Sequence, residues 1–356
     1  MKRDFYLELA RAGLRMPIGA DLILHRHPDA AKVVLDGRRL GAVIEETAGE
    51  FHTPLAVALM DLRLEKADLL RLLGVAESQV DSFHFEQAPA DADLERVRGA
   101  AEDDFAARNR AHIESARHVA EGGRFLPVGM AIGPFSLMTK LLRDPITPVA
   151  MAGMGLTAAD DSGVRLAERC LALAELAVQR SVKAQIRAGA KAMLICEPAA
   201  NVVYLSPRQV QAGSDILDRF VMAPHLRLNA LLRAAGVDLI FHDCGELSTF
   251  MVQEFAARLH PVILSLGSSR RLWEDAAVVP KDVVLFGNLP TKNFYSDAVV
   301  PLEKVEELTL DLMARMREAG HPHILGSECD VLHVPDAAET IWSKVRVMLT
   351  CGRGPA

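Results

Sequence analysis

The sequence predicts an α/β chain of the (β/α)8 barrel type with an N-terminal helical elaboration. Three observations lead there. Short apolar runs alternate with longer amphipathic stretches through most of the chain. Each run closes on a turn signal, usually Gly or Pro. Six such runs follow residue 120, and the chain before them has room for two more. Repeated strand–helix alternation builds a parallel sheet wrapped by helices. An open doubly wound sheet is the alternative reading of the same pattern.

Taken in order, the two early strands are placed at Pro17–Leu24 and near residue 50. Residues 84–120 read as a helical insertion in a single domain spanning 1–356; the charged, Ala-rich part Ala88–Arg117 reads as solvent-facing helix. The later runs are Leu126–Ile132, Ala192–Cys196, Val237–Phe241, Val262–Leu266, Val283–Phe286 and His323–Leu325. They are strand-length and apolar on both parities, as strands buried on both faces are. Between them, Asp161–Gly189, Arg208–Ala235 and Leu302–Gly320 have helical spacing.

Composition narrows the function. With 356 residues, half of them hydrophobic, the chain can bury a sizeable core. A net charge of -7 argues against a nucleic-acid-binding surface. Five irregularly spaced cysteines do not make a disulfide framework. The N-terminus lacks a signal-peptide pattern, and no run reaches the ~18 apolar residues of a membrane span. The expectation is a cytoplasmic, soluble protein with no membrane or nucleic-acid partner. No GxGxxG fingerprint, P-loop or GxSxG elbow is present, so dinucleotide, nucleotide-phosphate and serine-hydrolase readings have no support.

In a parallel barrel the chemistry sits beyond the carboxyl ends of the strands. The residues there are Gly133, Glu197, His242, Cys244, Gly267, Asn288 and Cys329. His242 and Cys244 are two apart, so in an extended backbone they face the same side. Cys329 comes from a separate strand end and can enter the same mouth. Nitrogen and sulfur donors of this kind suit zinc, and three protein ligands leave the open position of a catalytic site. A His-x-Cys pair also occurs without a metal, and a buried Cys is often just a small hydrophobe. Spacing alone leaves both readings open.

The segments "VDLIFHDCGE", "GNLPTKNF", "GPFSLMTKLL" and "HPHILGSECDV…DAAETI" resemble the uroporphyrinogen decarboxylase superfamily. They resemble more closely its zinc-dependent branch, the corrinoid methyltransferases that methylate thiols such as coenzyme M. The resemblance covers roughly residues 120–350 and is thinner before that. It implies a (β/α)8 barrel, zinc ligands His242, Cys244 and Cys329, and methyl transfer from methylcobalamin on a partner corrinoid protein to a small thiol. The decarboxylase branch carries an Arg-rich motif of the type "MRQAGRYLPEY" and a C-terminal Gly-His-Gly. This chain has "LRMPIGADLILHRHPD" and Glu328-Cys329-Asp330 instead. Porphyrinogen decarboxylation and a catalytically idle corrinoid- or tetrapyrrole-binding barrel stay as alternatives.

Other residues take lesser roles. Glu197 has three readings: filling the open zinc position, orienting a ligand, or standing as a polar residue of the rim. Asn288 is read as lining the pocket or bonding a histidine behind the metal ligands. Gly133 and Gly287 are read as permitting tight strand exits or the close approach of a bulky cofactor. Asp243 is assigned structural hydrogen bonds, Cys170 the core, and Cys196 a lesser claim as fourth ligand. His25 and His27 read as exposed loop, and His321 and His323 lie at the wrong end of their strand.

Overall fold

Apolar runs rich in Val, Ile and Leu pair side by side, an arrangement that satisfies their backbone while both faces are buried. In the computed structural model, which describes residues 3–352, eight strands form. They are β1 (Arg15–Ile18), β2 (Leu55–Val57), β3 (Leu126–Ile132), β4 (Ala192–Cys196), β5 (Asp238–Asp243), β6 (Ile263–Leu266), β7 (Val284–Leu289) and β8 (His323–Asp330). Every pairing is parallel, and the strand order is β1-β8-β7-β6-β5-β4-β3-β2. The sheet curls on itself: Met16, Leu55, Val128, Leu194, Ile240, Ile263 and Phe286, from seven strands, line one axial cavity of about 30 Å³. This is the (β/α)8 barrel that the alternation predicts. A cavity that small is packed core, so a substrate has room only beyond the strand ends.

The six later strands fall where the apolar runs place them. β7 and β8 run further than expected, so Asn288 and Cys329 lie within strands. The early part needs correction. Only the first residues of Pro17–Leu24 are strand; Ala20–Leu24 is a helix, which Gly19 precedes. The run is buried except at the half-buried Asp21, and a short run buried on nearly all sides does not distinguish strand from helix. The strand placed near residue 50 is Leu55–Val57, because the helix Gly37–Glu50 occupies the preceding residues.

Ser162–Arg187 and Leu302–Ala319 are the expected helices, the first opened by Asp161, whose side chain accepts the Val164 N–H at 2.8 Å. The stretch Arg208–Ala235 is broken into the helix Pro207–Gln211, a turn at Gly213 (φ +87°), a π-helical segment Asp218–Met222 and the helix Ala223–Ala234. Within residues 84–120 the helices are Asp91–Gly99 and Ala107–Gly122. The second is not simply solvent-facing. It packs against Gly37–Glu50 and buries Asn109, Ala111, His112, Ser115 and Val119.

One buried acid makes the fold's stability depend on pH. Glu65, in the helix Leu64–Leu72, is 1% exposed and accepts the Ser181 hydroxyl at 2.9 Å. Burial pushes its carboxyl up to about 7. A carboxyl raised on folding binds its proton more tightly in the native state. Its contribution is therefore full below its unfolded pKa and is lost as pH rises through about 7. Glu65→Gln keeps the acceptor for Ser181 and removes the titration. Relative to wild type it should gain up to roughly 3 kcal/mol between pH 5 and pH 8 in urea unfolding. Parallel stability curves across that range would refute this.

Candidate metal centre

The site begins with β5. Its alternation turns His242 to the same face as Ile240, which lines the axial cavity. The chain then turns at once: the Asp243 carboxyl accepts the Gly245 N–H at 2.8 Å, and the turn holds Cys244 at the mouth. Cys329 arrives on β8, with β6 and β7 between it and β5. On a flat sheet three strand spacings are roughly 14 Å. Closure of the barrel removes that distance. His242, Cys244 and Cys329 each offer a ligand atom, all within 4.8 Å of one another, and theirs is the one such His/Cys/Asp/Glu group among the described residues.

His242 tests whether this group fits a metal. Its Nδ1 is 2.8 Å from the Ser265 hydroxyl, on the residue paired with it across β5 and β6. Its Nε2 is buried and has no hydrogen-bond partner. A buried imidazole nitrogen left this way is costly unless something else takes its lone pair. With Nδ1–H donating to Ser265, Nε2 carries that lone pair toward the two sulfurs, the arrangement in which metal-ligating histidines are held. The donor set and the orphaned nitrogen fit a zinc ion.

The two thiols are pushed in opposite directions. The hydrogen bond to Cys329, with His242 and Lys292 nearby, lowers the Cys244 thiol against burial; the same bond, burial and the Cys244 charge raise Cys329. A cation displaces their protons and takes both sulfurs as thiolates. Burial pushes the Asp243 carboxyl well up. Cys196 is fully buried, its thiol is pushed up by burial, and it does not join the ligand group. Cys170 is core, as expected.

Glu197 stands elsewhere. It is fully buried, not on the rim. Its carboxylate accepts the N–H groups of Phe135 (3.1 Å) and Ser136 (2.5 Å), at the start of the helix Pro134–Leu141, and lies 2.7 Å from His225 Nε2. Both oxygens are spent on that helix terminus and that ring, which the anion suits. It therefore does not fill an open metal position. Gly133 has the same explanation: a side-chain carbon there would fall on the Glu197 carboxylate. The close approach it permits is that of this chain's own acid, not of a cofactor. Gly287 has φ +120° and Leu266 O against it, so backbone conformation requires the glycine. Asn288 bonds no histidine; its amide donates to Gly267 O (2.7 Å) and Arg270 O (2.9 Å), tying the loop after β6 to β7.

Three residues escaped the sequence reading. Ser265 is the one hydroxyl in the run Val262–Leu266, and that lone polar position was the available signal. Glu328 accepts the Ser268 N–H (3.2 Å) and hydroxyl (2.6 Å) and the Lys292 N–H (3.3 Å), joining two loops beside Cys329. Against burial, the charge field of Cys244, Cys329 and Glu328 holds the Lys292 ammonium above the ordinary lysine value. Nothing in the local sequence marks the last two, because their partners are distant in the chain. Ser265→Ala should leave the fold intact and weaken metal binding by this group roughly 10–100-fold, read by chelator competition. Unchanged affinity would remove Ser265 from the site.

The uroporphyrinogen decarboxylase (URO-D) family model matches residues 78–345. The chain belongs to the URO-D family. Among solved structures, a methyltransferase from Methanosarcina mazei is similar to this URO-D-family barrel with a TM-score of 0.63, over 94% of this chain and 92% of that one. The identity is 14%, so that likeness carries the fold. No curated protein matches the chain. Among the described residues no helix is long and apolar enough to cross a membrane.

Proposed function

We propose that this URO-D-family barrel is a zinc-dependent methyltransferase that moves a methyl group from a methylated corrinoid, presented by a partner protein, to a small thiol such as coenzyme M. One observation carries the reading: the buried, partnerless Nε2 of His242, aligned by Ser265 and set beside two cysteine sulfurs. His242, Cys244 and Cys329 would hold the metal. Zinc would there supply deprotonation of the acceptor thiol at neutral pH and an open position to hold it. Ser265 holds the orientation of the imidazole ring through Nδ1, and Asn288 and Glu328 tie down the loops around the cysteines. The transfer forms one sulfur–carbon bond and breaks the cobalt–carbon bond, whose electron pair stays on cobalt. It moves no proton beyond the one the thiol has lost.

Two further features support the reading. The axial cavity is too small for a substrate, so the reacting groups meet at the open mouth. The exposed apolar residues Val203, Phe250, Tyr295 and Leu332 follow β4, β5, β7 and β8, on the face of the cysteines. Apolar exposure around a mouth suits a donor carried on a macromolecule.

The test is metal analysis followed by an assay with methylcobalamin and a thiol. Stoichiometric zinc and thiol-dependent demethylation that a chelator abolishes are expected. Zinc-free protein with full activity would sink the metal. Turnover of uroporphyrinogen without metal would return the decarboxylase reading, and neither turnover would leave a binding barrel.

A further inference from the structure

A cavity of about 260 Å³ stands apart from the metal centre. Its walls come from segments that leave the carboxyl ends of β2 and β3, whereas the cysteines stand at β5 and β8. Arg63 and Lys66 lie at the start of the helix Leu64–Leu72, which follows β2. Lys140 lies in the last turn of the helix Pro134–Leu141, which follows β3. Asp81 and His84 come from the loop after the 3-10 turn Glu77–Gln79. The Phe85 N–H donates to Leu141 O at 2.9 Å and ties that loop to the end of the second helix.

The cavity gathers positive charge that nothing in its wall answers. An ammonium carries three donors, and burying it costs free energy unless partners take them. Lys66 is 7% exposed, yet among the described residues its Nζ makes one hydrogen bond, to Asp81 O at 3.4 Å. Lys140 is half-buried and donates to Leu62 O at 3.1 Å. Each ammonium thus rests on a single carbonyl, with no ion pair among the described residues. The acid in the wall, Asp81, is taken by Arg63 at 2.7 Å. The acids behind the wall are engaged as well, Asp61 by Arg108 at 2.6 Å and Glu65 by the Ser181 hydroxyl. Burial holds the Lys66 ammonium below the ordinary lysine value, and the like charge of Lys140 adds to that; burial and the Lys66 charge lower His84 in turn. On a chain of net charge -7 this excess is local.

We propose that this cavity is a binding site for a phosphoryl group, held by Lys66 and Lys140 with His84 beside them. Two ammoniums brought from different helices act as point charges on a tetrahedral oxyanion, which offers acceptors in every direction. A planar carboxylate is better matched by a guanidinium fork, and the arginine of this wall is already paired with Asp81. The volume is several times the ~30 Å³ share of one water, so the group has room together with an ester substituent.

Inorganic phosphate and methyl phosphate are the probes, each titrated calorimetrically into the full chain against sodium chloride of equal ionic strength. Wild type should bind one equivalent. Lys66→Met and Lys140→Met should each weaken that binding on the order of tenfold or more, the worth of one charge-assisted hydrogen bond. Bound phosphate should also raise the urea midpoint of wild type and do so far less in either variant, because a ligand of the native state stabilises it by mass action. Binding of both probes assigns the site to the phosphoryl end of a larger ligand, and binding of phosphate alone assigns it to the free ion; both outcomes support the site. No binding above the chloride control overturns it, as does binding that the two variants retain at full affinity. Lys140 is the less buried lysine, so Lys140→Met carries the test if Lys66→Met does not fold. The metal plays no part in this measurement: zinc analysis decides the methyltransferase reading, and phosphate titration decides this site.

Discussion

Cys329→Ala is expected to abolish stoichiometric zinc and, with it, methylcobalamin demethylation. Cys329 is one of the three donors that come together at the centre among the described residues. Apparent zinc binding to protein sites that supply every ligand runs to roughly 10–16 kcal/mol. The share of one thiolate is therefore several kcal/mol, a loss of affinity on the order of a thousandfold or more. His242→Ala and Cys244→Ala should behave alike. Cys170→Ala and Cys196→Ala supply the contrast. Both residues are buried outside the ligand group, and burial raises both thiols, Cys170 to about 12. Their loss should cost stability and leave zinc bound. Inductively coupled plasma analysis and chelator competition read all five variants. Zinc retained at wild-type affinity in Cys329→Ala would remove β8 from the centre.

Gly133→Ala is expected to be the most destabilising of the single-methyl changes around the mouth. The new methyl would fall on the Glu197 carboxylate, which is fully buried. Glu197 would have to leave the amides of Phe135 and Ser136 and the ring of His225. Breaking up a buried, fully hydrogen-bonded charge costs about 3–5 kcal/mol. Urea unfolding should show a loss of that size. The double variant Gly133→Ala/Glu197→Ala gives the decisive check, since it removes the group that the methyl strikes. It should cost less than the two single losses added. Strict additivity, or a Gly133→Ala loss below half a kcal/mol, would show that the acid is not what demands the glycine.

These two residues also mark where sequence reading reaches its limit. Gly133 and Glu197 were both noticed, because both follow strands, and strand ends are legible from apolar runs closed by turn residues. What each does was not legible. The acid's partners lie 28 to 62 residues away along the chain. The same holds for Asn288, noticed for its position but spent on the carbonyls of Gly267 and Arg270, and for Lys292 and Glu328, to which the sequence assigned no role. The N-terminal strands were misplaced for another reason: a short run buried on nearly every side carries no periodicity to read.

By itself the sequence determined the barrel and the donor set. Alternation of buried strands and amphipathic helices leaves few other ways to cover both faces of a parallel sheet. A His-x-Cys pair at one strand end and a cysteine at another are visible as letters. The tertiary structure decided that the three meet. Sheet closure folds away the distance from β5 to β8, register sets Ser265 beside His242, and burial leaves Nε2 with no partner of its own. Convergence, tautomer and desolvation are properties of neighbours in space, and a linear sequence records neighbours only along the chain.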